Sequence, residues 1–390
     1  MNTLKILKKY EAKGMHYQLP VVWDKGSNSV IIDNKGRKYI DFSSGICATN
    51  IGHANSEVLI NIVRQATKLY HSYTFPTEIR AKLVEKVCKM TGFDKVFLTS
   101  AGTEATEAAC KIMMLYGRKR NKFKIMSFWD SMHGKTALAS SLSDFSIWGL
   151  QDLIVRFVPL FDFDWSKEDE LQLEEEKKHL AGIIIESYQG YSARFYNKKY
   201  IQKLVKWAKK NKILVCFDEI QGGFYRTGKL FAYEHYDIPK PDLVCIGKGF
   251  GAGLPIAGVL GRKELIDLPD DLSSTNSGNP LCCAGALANL EVLEKLNKKE
   301  LQEKIELFYN YLILLKKVKI VKELNIKGLL AGIIVKNKKI ATKIVYKCLK
   351  RGLILILTNR ESVKLAPPLT ISKEELKKGI EILLSAIKND

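Results

Sequence analysis

Seven short apolar runs follow one another through the middle of the chain, at 96–99, 124–128, 154–158, 182–186, 213–218, 243–248 and 256–260, several of them parted by stretches of helical periodicity. A run this short with no polar alternation has both faces buried, as in a mostly parallel sheet covered by helices. The ladder places the chain in the α/β class. In open sheets of this kind ligands bind beyond the carboxyl ends of the strands. Those ends carry Thr99, Ser100, Glu186, Asp218 and Lys248.

Outside the ladder the pattern changes. Residues 1–55 alternate like strands at 29–33 and 38–42 about an Asn34-Lys35-Gly36 turn, which reads as a small β-meander. Ser56 opens an amphipathic helical pattern, and a second runs over 78–90. From 287 onward, lysine-rich helical patterns flank the runs 329–335 and 353–357. The expected organisation is a large domain over 56–286 and a smaller α+β domain from 287–390, which residues 1–55 join.

Composition narrows the function. No apolar run approaches the roughly 20 residues of a membrane helix, and the first residues, MNTLKILKKYEAKG, lack the apolar core of a signal peptide. A cytoplasmic protein without a membrane partner is expected. Eight cysteines, none in C-x-x-C spacing, read as reduced thiols and not as a metal site. The net charge of +20 comes mostly from scattered lysines. That is a solvated surface, and no nucleic-acid partner is expected.

Three segments carry candidate chemistry. In TSAGTEATEAACK a strand end turns into a helix start, and the unpaired N–H groups of a helix N-terminus at Gly102 and Thr103 suit a phosphate. In LVCFDEIQ, Asp218 ends an apolar strand, where a carboxylate needs a cation or proton donor such as a protonated pyridine nitrogen. In LVCIGKGFGAGLP, Lys248 lies between two glycines that let a bulky ligand approach, and a lysine there can form an imine with an aldehyde. Singly, each has a plainer reading: a capped helix, an aspartate closing its turn, a surface lysine. Together they are the parts that pyridoxal phosphate requires.

At this point the chain resembles the class III aminotransferases of fold type I, which include acetylornithine, ornithine and 4-aminobutyrate aminotransferases. The resemblance runs through IIDNKGRKYIDFSSGICATNIGH, GTEATEAACK, MHGKT, FDEIQGGFYRTGKLFAYEH, PDLVCIGKGFGAGLP, STNSGNPLCCAGA and VKLAPPLTI. It implies a seven-stranded, mostly parallel large domain and a small domain from both termini. It implies that Lys248 binds the cofactor covalently and shuttles a proton, that Asp218 pairs with the ring nitrogen, and that Gln221 meets the phenolic oxygen. Gly102 and Thr103 hold the phosphate, joined by Thr275 from the neighbouring subunit of a homodimer with shared sites. Met132 stands where an aromatic residue usually stacks on the ring, followed by His133. Glu186 belongs to an E-P-x-Q-G segment in which Ser187 replaces proline, and Arg226 matches a site-ordering arginine. The implied partners are an amine donor and an oxo-acid acceptor.

Three departures fall at substrate contacts of the family. Lys135 stands where an arginine clamps an α-carboxylate, Tyr191 where a gating acid follows Q-G, and Lys364 where its arginine partner precedes P-P. Lysine cannot make the bidentate fork of arginine. Arg194 and Arg360 are alternative carboxylate anchors, and Gly45, Ile46, Tyr73 and Phe75 are expected on the substrate-side wall. The reading is a transaminase acting on an amine or ω-amino donor. A mutase or decarboxylating transaminase of the same fold, or more distantly a basic binding protein, are the alternatives.

Overall fold

Alternation near the N-terminus becomes an antiparallel ribbon of β1 (Trp23–Ser27), β2 (Val30–Asp33) and β3 (Lys38–Asp41). The turn between β2 and β3 is held by Asp33, whose Oδ1 accepts from the backbone N–H groups of Lys35 and Arg37, both at 2.9 Å. These features come from a computed structural model, which describes residues 3–15, 18–143, 153–157, 166–267 and 272–388. A helix at Thr3–Tyr10, unforeseen in the sequence, precedes the ribbon.

All seven apolar runs lie in one sheet: β4 (Lys95–Thr99), β5 (Lys124–Phe128), β6 (Ile154–Phe157), β7 (Leu180–Glu186), β8 (Leu214–Asp218), β9 (Leu243–Ile246) and β10 (Ala257–Gly261). Val158, expected to end the third run, lies outside the described residues. Their spatial order is β4-β10-β9-β8-β7-β5-β6. Strands β5 to β9 pair in parallel, whereas β10 is antiparallel to both β4 and β9. Strand β4 therefore runs with the parallel set, and Thr99, Glu186 and Asp218 end on the same edge. The helix Gly102–Arg118 packs on this sheet through Ala105, Ala109, Ile112 and Met113, meeting Ile184, Cys216 and Cys245. Small alanines let the helix lie close, and the Met113 thioether covers Gly182 so tightly that a Cβ there would collide with it.

The chain divides into two compact units, Ser56–Asn297 and Met1–Asn55 with Lys298–Asp390. The second boundary thus follows Asn297, not residue 286. The helix Pro280–Glu294 straddles the expected break and packs on the helices Ser56–Ala66 and Glu78–Thr91 of the larger unit. Its sequence, PLCCAGALANLEVLE, is apolar nearly all round, with Glu291 and Glu294 exposed, and reads as core whichever unit owns it.

In the smaller unit, β11 (Val321–Lys327), β12 (Leu330–Val335), β13 (Leu353–Ile354), β14 (Ile356–Leu357) and β15 (Ser362–Leu365) follow. The run 353–357 is split: β13 pairs in parallel with β3, and β14 pairs with β15 in the sheet β11-β12-β15-β14. Leu355 is the point where the chain passes from one sheet to the other. Next to the ribbon, Ser44, Gly45, Ile46 and Cys47 all have positive φ, between 47° and 63°. A left-handed turn of this length costs about 1–2 kcal/mol for each residue other than glycine.

Candidate active site

At the end of β4 the chain turns directly into the helix Gly102–Arg118. Ala101 sits at the N-cap in extended conformation and offers no side-chain acceptor. The first-turn N–H groups of the helix are thus left for another acceptor, at the positive end of its dipole. Beside them the hydroxyl of Ser100 is buried without a hydrogen-bond partner. Its backbone N–H donates to Glu104 Oε2 at 2.8 Å. Thr103 Oγ1 lies 2.7 Å from Thr136 Oγ1 and accepts from the backbone N–H of Lys135 at 3.2 Å. A Cβ on Gly134, whose φ is +150°, would strike the Thr103 hydroxyl.

Beyond β10 and β9, the neighbouring strands β8 and β7 end in register, with Glu186 beside Asp218. Asp218 is 4% exposed; its Oδ1 accepts from Ile220 N at 3.1 Å and its Oδ2 lies 2.8 Å from His133 Nδ1. The other ring nitrogen of His133, Nε2, is buried with no partner. Glu186 ties three segments together: its Oε2 accepts from Met132 N at 2.8 Å, and its Oε1 from Gly190 N at 3.1 Å and Gln221 Nε2 at 3.4 Å. Burial pushes the Glu186 carboxyl up to about 7, against the opposing pull of His133. Glu219, next in sequence to Asp218, is also raised to about 7 by burial. It accepts from Ala232 N at 2.9 Å, from Tyr233 N at 2.7 Å and from the Ser187 hydroxyl.

Lys248 does not end β9, as the apolar run implied. The strand stops at Ile246, Gly247 is extended, and Lys248 opens a short 3₁₀ turn with φ +45°. A left-handed φ on a lysine stores about 1–2 kcal/mol, which persists only where the surroundings impose it. Because Asp218 pairs with Cys245 in the β8–β9 ladder, Lys248 leaves the sheet one strand over from Asp218. Among the described residues the lysine ammonium makes no hydrogen bond or ion pair.

Of the other expected residues, Thr275 is exposed, while Arg226 is fully buried. Lys135 is exposed, and Tyr191 and Arg194 are half-buried in the loop after Glu186, where Gln189 bridges to Arg194. Tyr73 and Phe75 are exposed. Gly45, Ile46, Arg360 and the buried Lys364 belong to the smaller unit. There Gly45 and Ile46 line an apolar cavity of about 500 Å³ with Leu19, Trp23 and Ile354. Two features escaped sequence reasoning: the contact of His133 with Asp218, and Glu219 as a second buried proton holder. The first has no signature in spacing; the second was signalled by an acid inside the apolar FDEI.

This donor set fits pyridoxal phosphate. An uncapped helix start with an orphaned serine hydroxyl suits its phosphate, a buried aspartate braced by histidine suits a protonated ring nitrogen, and an unpaired lysine suits an aldehyde.

Comparison with known proteins agrees. The family model for aminotransferase class-III matches residues 10–387. The acetylornithine aminotransferase of Clostridium acetobutylicum is 34% identical, over 94% of this chain and 96% of its own length. The ornithine aminotransferase of Emericella nidulans is 32% identical, over 95% of this chain and 87% of its own. Among solved structures, the ornithine aminotransferase of Toxoplasma gondii, in which pyridoxal phosphate partly occupies the active site, superposes with a TM-score of 0.89 at 26% identity, covering 99% of this chain and 94% of that one. The chain belongs to the class III aminotransferases, which are pyridoxal-phosphate-dependent enzymes of transamination.

Proposed function

We propose that this aminotransferase is a cytoplasmic homodimer whose preferred donor presents an amine that is not beside a clamped carboxylate: an ω-amine, an amino sugar or an ω-amino acid. The observation that carries the donor class is the joint presence of Lys135, Tyr191 and Lys364. Among the described residues Lys135 is exposed and engaged through its backbone N–H alone, while Tyr191 sets a half-buried aromatic ring where an acid would greet a second amine. Replacing a bidentate arginine contact by a point charge forfeits on the order of 1 to 3 kcal/mol. Arg194 or Arg360 would anchor the far end of an ω-amino acid.

In this reading pyridoxal phosphate supplies an electron sink for the carbon that bears the amino group. Gly102 and Thr103 would donate N–H groups to its phosphate, and Thr275 would reach the phosphate of the neighbouring subunit. Asp218, oriented by His133 Nδ1, would meet the ring nitrogen, and Met132 would pack on the ring. The Gln221 amide, braced on Glu186, would donate to the phenolic oxygen. Lys248 Nζ would hold the cofactor through its aldehyde and, once displaced by the donor amine, would be the base placed to move a proton at the donor carbon. Its want of any other partner leaves that nitrogen available.

The homodimer is supported by a patch of exposed apolar side chains, Leu59, Ile60, Val63, Tyr70, Tyr73 and Phe75, on the helix Ser56–Ala66 and the segment after it. The compartment rests on the sequence: eight cysteines without C-x-x-C spacing behind an N-terminus that lacks the apolar core of a signal peptide. The test compares kcat/KM for N-acetylornithine and ornithine with a panel of ω-amines and ω-amino acids on one oxo-acid acceptor. Acetylornithine as the best donor by roughly tenfold, about 1.4 kcal/mol, would show that Lys135 is an adequate clamp and defeat the donor assignment.

A further inference from the structure

Arg80 spends its charge in an unusual way. It stands in the first turn of the helix Glu78–Thr91, where its backbone N–H donates to the cap hydroxyl of Thr77 at 3.4 Å. Its guanidinium reaches back to the preceding turn and donates to three successive carbonyls: Nη1 to Tyr73 at 3.0 Å, and Nη2 to Phe75 at 3.0 Å and Thr74 at 3.5 Å. No carboxylate pairs with it among the described residues, since the nearby Glu78 is taken by Lys82. Three carbonyls converge because Tyr73 has φ +46° and Phe75 N closes the turn on Ser72 O at 2.9 Å. The planar guanidinium spreads these bonds over two nitrogens held in a fixed fork, whereas an ammonium would have to gather all three carbonyls about a single nitrogen.

The stem of the same arginine lies against a second segment. Gly278 has φ +66°, and a Cβ there would stand 2.7 Å from Arg80 Cδ. Gly278 closes the 273–278 loop, the loop of Thr275, and Tyr73, Arg80, Ser274 and Gly278 line one cavity of about 320 Å³. A separate bond, Asn279 Nδ2 to Tyr70 O at 2.9 Å, joins the two segments again. One segment carries the aromatic residues of the donor-side wall; the other carries the phosphate contact.

We infer that Arg80 is a positioning residue that clasps the 73–75 turn to the 273–278 loop, so that cofactor retention and donor recognition depend on the same side chain. The inference rests on the roles assigned to Tyr73 and Thr275 above. Arg80 touches neither substrate nor cofactor; it acts by holding the backbone of both segments.

The test uses the full-length holoenzyme and its Arg80→Gln and Arg80→Lys variants. Pyridoxal phosphate dissociation is followed by absorbance titration, donor KM and kcat are measured at saturating cofactor, and a thermal midpoint is recorded for each. Arg80→Gln is expected to raise the cofactor dissociation constant and the donor KM together, each roughly tenfold, the worth of one charge-assisted hydrogen bond, with kcat within about twofold. Arg80→Lys, which keeps the stem on Gly278 and the charge, should show the same paired rise at smaller size. If Arg80→Gln does not fold, the paired rise in Arg80→Lys still decides. Normal cofactor uptake with unchanged constants in the folded variants, even with a lowered midpoint, overturns the proposal alone. A wild-type chain that takes up no cofactor overturns the functional reading, and this inference with it.

Discussion

Replacing Glu219 by glutamine keeps the size of the side chain and removes its titration, so the comparison with wild type isolates one buried carboxyl. Burial raises that carboxyl from 4.5 to about 7, against the pull of the Ser187 hydroxyl and the Ala232 and Tyr233 N–H groups. A folded-state pKa above the unfolded one means that the native protein binds the extra proton. The resulting stability is whole below about pH 4.5 and is lost as pH rises through about 7. Between pH 5 and pH 8 these two values integrate to a loss of about 2.5 kcal/mol in wild type, which Glu219→Gln does not share. Equilibrium urea unfolding, followed by tryptophan fluorescence at both pH values, measures it, because the other titrating groups are common to the two proteins. Glu219→Gln should gain about 2 to 3 kcal/mol on wild type across the interval. A difference constant to within about 0.5 kcal/mol would mean that the three donors keep Glu219 ionised throughout, and the burial argument would be wrong.

Lys248→Ala is expected to abolish turnover and the imine absorption band while leaving phosphate-driven cofactor binding; borohydride reduction and peptide mapping check it, and a label on another lysine refutes the assignment. Gly190→Ala puts a Cβ into the Gln221 amide nitrogen and 3.2 Å from Glu186 Oε1. It should weaken cofactor affinity by roughly tenfold, about one hydrogen bond, at a little-changed thermal midpoint. Sedimentation at working concentration should find a dimer or a multiple of one, and a fully active monomer would refute the sharing of Thr275.

The large sheet was legible because a strand buried on both faces leaves a dense signal. Each of the seven apolar runs became a strand, with ends displaced by a residue or two. Elements that bury little left weaker marks. Strand β11, VKELNIK, is only half-buried along most of its length, and its lysines and glutamate read as easily as a helix face. The helix Thr3–Tyr10 buries no residue, so nothing but its local sequence spoke for it. The split at Leu355 was invisible for the opposite reason: every residue from Leu353 to Leu357 is buried, and an unbroken apolar run cannot say which of two sheets it pairs with.

The same limit divides what was readable in the site. Asp218 and Lys248 stood out because each occupies a local setting that a strand-end acid or a lysine between glycines makes recognisable. His133 and Asp218 are 85 residues apart in sequence, and no spacing rule connects them. Nor could it be read that β7 and β8 end in register, placing Glu186 at the flank of Asp218 while Glu219 follows it directly. Three ionised carboxylates packed this closely in a buried site would repel one another strongly. Burial resolves the conflict by holding protons on Glu186 and Glu219 up to about pH 7. Each glutamate then remains as a hydrogen-bonding brace for its neighbours: Met132, Gly190 and Gln221 on one side, Ser187, Ala232 and Tyr233 on the other. Asp218, between them, is met by His133 Nδ1 at 2.8 Å. The proposed partner of Asp218 is the ring nitrogen of the cofactor, and burial that favours the neutral form of both glutamates weakens their competition for it.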